Sequence, residues 1–332
     1  KWDMSNVSTI AAMFRWASTF NQDISNWNTS NVRYLSFMFD WATNFDQPIG
    51  KWDTSKVIDM RLMFASARNF NQDISRWDVS NVQSMLAMFA WAEKFNQDIS
   101  NWNTSKVTDM WWMFQNAKHF NQDLFGWDTS KVTNMYAMFA WAENFNGNIS
   151  NWKTGKVINM QWMFQNAQSF NQPIGNWDTS NVTTMQQMFE LAKNFNQDLL
   201  GWNTSKVTNM YAMFSRMDKF NGDVSNWDTS NVTDMWWMFS AAKEFNQDIS
   251  NWNTSKVTDM ARMFAWAENF NQNISNGARS ALAGETSDIM ISIHSNTGKN
   301  SGTLSFYPGD NDYISGSNYP GYTNIMGLFL YL

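Results

Sequence analysis

The sequence predicts an α/β repeat solenoid: a leucine-rich-repeat-like, right-handed coil with short strands on one side, short helices on the other, and a β-rich C-terminal segment. Three observations predict it. Trp recurs every 25 residues, at Trp2, Trp27, Trp52, Trp77, Trp102, Trp127, Trp152, Trp177, Trp202, Trp227 and Trp252. A fixed period of this length marks stacked units that cannot bury an apolar face alone. Within each unit, one stretch carries apolar residues at helical spacing and another alternates as a strand does. The register breaks at Gly277, so residues 1–276 are expected to form an eleven-repeat body and 277–332 a separate β-rich cap or the start of another domain.

Counting Trp as position 1, a representative unit runs from Trp127 to Asn151. Position 6 is Val in every copy, 12 is Met, and 13 and 19 are Phe; position 9 is Met, Leu or Ile, 16 is Ala except at Met217, and 23 is Ile, Leu or Val. Positions 9, 12, 13 and 16 follow the i, i+3, i+4, i+7 rule, which predicts a helix over about positions 8–17 with one buried stripe. Ser at position 4 precedes it as a candidate N-cap. Positions 19–24, Phe-Asn-Gln-Asp-Ile-Ser, alternate and predict a short strand. Pro48 and Pro173 replace Asp at position 22, where no ladder donor is needed. Stacked at strand spacing, eleven coils make a rod of about 50 Å lined by aromatic rungs.

The tail holds eight of the fifteen Gly, two of the four Pro and no Trp. Asp288–Ser295, Gly302–Tyr307 and Asn324–Leu332 read as strands there, with turns at Pro308 and Pro320. The chain carries a net charge of −6 and no basic stripe, which speaks against nucleic acid. There is no Cys, hence no disulfide framework and no thiolate metal site. The longest apolar runs fall well short of the roughly 20 residues of a membrane span. Lys1 opens the chain in phase with the repeat, so a fragment or processed product is expected, with further repeats or a cap upstream.

The motif W-D-T-S-x-V-T-x-M-x-x-M-F-x-x-A-x-x-F-N-Q-D-I-S resembles the roughly 25-residue repeat of BspA-like, leucine-rich-repeat-like bacterial surface proteins. The resemblance covers 1–276. It implies a secreted or cell-surface protein engaged in adhesion, with protein or self-association as the leading partner class and no enzymatic residues to carry over.

The residues themselves place function at positions that vary within the constant frame. On a helix, positions 10, 11, 14, 15 and 18 lie opposite the buried stripe, at about 100° per residue. They hold Trp16, Trp41, Trp91, Trp111, Trp112, Trp141, Trp162, Trp236, Trp237 and Trp266, together with Tyr136 and Tyr211. Where position 15 is Trp, position 11 is usually small, and no unit has Trp at both. One large ring per coil is expected to tile a contiguous outer stripe. Such a stripe is a protein-binding or self-assembly surface, a glycan-stacking platform, or an outer core layer. Trp16, Trp41, Trp91, Trp112, Tyr136, Trp141, Trp162, Tyr211, Trp237 and Trp266 are the candidate binding residues.

A second candidate is the Asp row at position 22. Asp73, Asp98 and Asp123 fall in adjacent coils, where like charges repel and a structural Ca²⁺ could bridge them; a solvated row is the simpler reading. The Thr row at position 3 reads as turn stabilisation. No other cofactor is expected. His119 and His294 are the only histidines, and no nucleophile, phosphate-loop or metal-ligand spacing appears, so the chain is expected not to be an enzyme.

Overall fold

The computed structural model describes residues 2–274, eleven coils of 25 residues stacked in a single column. Each coil touches the next through one parallel bridge at position 8, from Thr9 with Tyr34 through to Asp234 with Asp259. The strands and cap expected in 277–332 lie outside the described residues.

The expected helix over positions 8–17 is not formed, and neither is the strand over 19–24. No helix and no extended strand occurs among the described residues, so the α/β, leucine-rich-repeat-like reading is corrected. The helical stretch is instead a run of consecutive tight turns. In the coil that begins at Trp102, the N–H of Met113 donates to the carbonyl of Met110, Gln115 to Trp112, and Ala117 to Phe114. The residues between them donate outward to the next coil: Trp112 to Tyr136, Phe114 to Met138 and Asn116 to Ala140, at 2.8–2.9 Å. Alternate amides thus close turns within the coil and bond across to its neighbour.

This geometry needs two left-handed corners per coil. Positions 11 and 15 have positive φ in every coil, including Trp112 at 59° and Asn116 at 56°. Each is the third residue of a four-residue turn closed by an i+3 to i bond, the place where a type II turn requires φ > 0. Glycine usually fills it, yet none of the twenty-two corner residues is Gly and none is β-branched. The missing β-branch is the steric signature, since Val, Ile and Thr tolerate this region worst.

Coil pitch explains why turns replace the helix. One parallel bridge per coil sets a spacing near 4.8 Å. The aromatic ladders follow it, with stacked rings offset: Phe89 to Phe114 at 5.7 Å, Phe95 to Phe120 at 5.9 Å and Trp102 to Trp127 at 6.4 Å between centroids. Packed helices need axes about 8–10 Å apart. A column with one helix per coil could not keep this pitch on every side. Turns can, because they release every second amide to the neighbouring coil.

The predicted core residues are where the periodicity placed them. Val at position 6, the Met residues at 9 and 12, Phe at 13 and 19, and the apolar residue at 23 point inward, and Phe139 and Phe145 are fully buried. The i, i+3, i+4, i+7 pattern is real, but it records successive turn positions and not a helix face. Trp at position 1 closes one side of the core. The indole of Trp102 donates to the Ile74 carbonyl two coils back at 3.2 Å, a carbonyl that also accepts from the Trp77 amide.

Polar side chains hold the remaining turns. Asn96 Oδ1 accepts the Asn121 amide and the Gln122 side-chain amide of the next coil, each at 2.9 Å. The backbone half of this link joins all successive coils at position 20, with Asp46 standing in for Asn in one of them. Thr at position 3 is buried, and Thr104 donates its hydroxyl to the Asp128 carbonyl at 3.0 Å. Ser at position 4 is no helix cap: its amide is the donor in a turn accepted by the Asx residue at position 2, as Ser105 is to Asn103.

The corner conformation is directly testable at Ala241, a half-buried residue with φ of 54°. Left-handed backbone costs a side-chain-bearing residue about 1–2 kcal/mol, whereas glycine loses about 0.4–1 kcal/mol through unfolded-state entropy. Denaturant unfolding should therefore find Ala241→Gly neutral or more stable than the parent, and Ala241→Val less stable. A Val variant as stable as the Gly variant would refute the corner.

Candidate functional site

The ring-bearing positions are the two left-handed corners and the residue before the first of them, so the fold sorts the candidate rings by position. Corner 15 holds Trp16, Trp41, Trp91, Trp141 and Trp266, which keep between 40% and 66% of their surface exposed. Among the described residues none of these five stacks on another ring; Trp16 instead lies under the Arg15 guanidinium, 4.3 Å from its centroid. Arg15 also pairs with Asp40 at 2.8 Å, and Asp40, almost fully enclosed, is pushed up by burial against the pull of that arginine.

Positions 10 and 11 hold rings that cluster. Trp111 stacks on Trp112 at 5.2 Å; Tyr136 lies 5.9 Å from Trp112 and 5.2 Å from Trp162. A second cluster joins Tyr211, Trp236 and Trp237, with both ring pairs at 5.4 Å, and Arg262 lies 5.8 Å over Trp237. These rings are half-buried, apart from the slightly more open Trp236. Burial raises the phenol pKa of both Tyr136 and Tyr211. The expected single stripe is therefore an exposed row at one corner and two ring clusters at the other. The helix-based view of positions 10, 11, 14 and 15 as uniformly wet is also corrected: Ala87, Ala137 and Ala212 at corner 11, Asn116 and Asn166 at corner 15, and most of position 14 are buried.

Between the clusters lies a polar network that the sequence reading did not single out. The Trp162 indole donates to Gln187 Oε1 at 2.8 Å, and the Gln187 amide donates to Glu190 Oε2 at 2.5 Å. Gln165 donates to the same carboxylate oxygen at 2.8 Å, and Glu190 is buried. The available signal was the run of Gln at positions 10, 11 and 14 of adjacent units: Gln161, Gln165, Gln186 and Gln187. Within the two ring clusters, the indole nitrogens of Trp111, Trp112 and Trp237 are buried with no acceptor. A buried donor left unmet costs about 1–3 kcal/mol.

The Asp row at position 22 does not assemble as a cation site. Asp73 and Asp98 each accept the amide of a serine in their own coil, Ser75 and Ser100, at 2.9 Å. Asp123 accepts the Asn148 amide at 2.7 Å. Among the described residues no group of three or more His, Cys, Asp or Glu side chains is placed to hold a metal. In each of the three carboxylates it is Oδ1 that accepts the backbone amide. Likewise, no helix among the described residues is long and apolar enough to cross a membrane.

Sequence comparison places this architecture in a known family of repeat sequences. The chain belongs to the family described as "Mycoplasma protein of unknown function, DUF285", whose profile matches it in four overlapping stretches, residues 1–102, 46–143, 123–215 and 198–297. No curated protein and no solved structure matches the chain.

The Asx turns give the column an acid-sensitive component. Bonds from Ser75, Ser100 and Ser250 hold the carboxyls of Asp73, Asp98 and Asp248 below the ordinary range. A depressed folded-state pKa adds stability above the unfolded value, near pH 4, that is lost as pH falls through the folded value. Burial raises Asp109 and Asp234, whose contribution runs the other way, present at low pH and lost as pH rises. Asn148 makes the same turn bond to Ser150 without a charge. Changing Asp73, Asp98 and Asp248 together to Asn should leave the Tm at pH 7 near the parent's and shrink its fall below about pH 4. An equal fall in parent and variant would show that these turns do not carry the acid response.

Proposed function

We propose that this chain is a secreted or cell-surface repeat protein that adheres to protein surfaces, copies of itself included, through the exposed Trp row at corner 15. The observation that carries the reading is the exposure of Trp16, Trp41, Trp91, Trp141 and Trp266 on a backbone bonded to the adjoining coils, on both sides for Trp41, Trp91 and Trp141. Trp dominates the energetics of protein interfaces, and rings held on a rigid frame lose little entropy on contact. The resemblance of the repeat to BspA-like surface proteins supports the location and the adhesive role. No reaction is assigned.

Replacing Trp41, Trp91 and Trp141 with Ser tests the reading, since these rings make no stacking contact that the fold needs and Ser is already tolerated at this corner as Ser66. Sedimentation and surface-adhesion assays should show the parent associating or adhering, and the triple variant failing to do so with its Tm little changed. Undiminished association in the folded variant would remove this row from the function.

A further inference from the structure

We infer that the second corner carries a separate binding track for a linear, uncharged polysaccharide, running along the column from Trp111 to Trp237. The inference rests on reading the chain as a binding protein but uses different rings. Three features of the track select the ligand. Its ends are aromatic clusters, Trp111, Trp112, Tyr136 and Trp162 at one end and Tyr211, Trp236 and Trp237 at the other. Ring faces of this kind pack against the C–H faces of pyranoses.

Its middle is made of side-chain amides, with Gln165 and Gln187 donating to the buried Glu190 and Gln186 beside Gln187. Amides both donate and accept, as sugar hydroxyls do, and the Glu190 carboxylate at the centre already accepts from two amide donors. The indole N–H groups of Trp111, Trp112 and Trp237 lack acceptors in the resting packing.

The third feature is pitch. Each coil advances the track by about 4.8 Å, close to the rise of one β-linked pyranose, so a linear glycan stays in step with the coils. An extended peptide rises about 3.3 Å per residue and drifts out of register within a few coils. The track therefore favours the polysaccharide over a peptide strand.

The test is calorimetric titration of the whole chain with β-1,4-linked glucose and N-acetylglucosamine oligomers, from disaccharide to octasaccharide. Affinity should climb until the ligand spans Trp111 to Trp236, five coil advances or about 24 Å, and then level at roughly five or six sugars. Trp112→Ala and Trp162→Ala should each weaken binding about five- to tenfold. Trp162→Phe keeps a ring while losing the bond to Gln187 and should fall between parent and Ala, which covers the case in which an Ala variant loses its packing. Trp141→Ala, at the other corner, should bind as the parent does. Absence of binding by every oligomer, affinity that ignores length, or an equal loss from Trp141→Ala would overturn the track. If the oligomers fail while the corner-15 variant still loses association, the adhesive reading stands and the track falls; the reverse pattern keeps the track and removes the adhesive row.

Discussion

The spacing of one parallel bridge per coil, near 4.8 Å, is the constraint on which the rest of this structure depends. It brings identical residues of successive coils within stacking distance, so the Phe and Trp positions become continuous ladders. It also forbids a helix in each coil of a straight column and imposes turns in its place. The left-handed corners follow from those turns, and the exposed rings follow from the corners. Sequence, backbone and surface are thus linked through a single length.

Polar residues serve the same constraint. A turn leaves backbone donors that neither a helix nor a sheet would satisfy, and buried donors need partners. The Asx residues at positions 2, 8 and 22 accept amides two residues on, as Asp3, Asn134 and Asp223 do. Position 20 links coil to coil. In the Asp row at position 22, Asp73 and Asp98 thus close local turns, while Asp123 holds an amide of the next coil. Asp and Asn interchange freely at these positions: each supplies the oxygen, and only the pH response differs.

The buried residues were legible in the sequence, because invariance across eleven copies identifies what must repeat in three dimensions. Val132, Met138, Phe139 and Phe145 are inside, as their positions require. The backbone was not legible from the same pattern. Apolar residues at i, i+3, i+4 and i+7 satisfy a helix, but a chain of four-residue turns with corners at positions 11 and 15 brings the same residues inward. What separates the two is what the corners lack: a helix tolerates Val or Ile there, and a left-handed corner does not. Spacing read on a helix placed Trp112, Trp141 and Trp162 in one stripe, whereas Trp112 and Trp162 gather around Tyr136. Trp141 and Trp91 were not their neighbours, since corner 11 and corner 15 are distinct on turns where they would share a face on a helix. The network of Gln165, Gln187 and Glu190 was hidden because each contributes to a contact between coils, which no single repeat displays.

The backbone angle at the corners is the most direct test of this account. In an isotopically labelled sample, amide-to-Hα couplings and Cα chemical shifts at Ala137, Trp141, Ala212 and Arg216 report φ residue by residue. The account predicts left-handed values near the 48–62° of these four corners, with ordinary right-handed or extended values at Met138 and Phe139 between the first two. Helical values near −63° running without interruption from Tyr136 to Ala142 would contradict it.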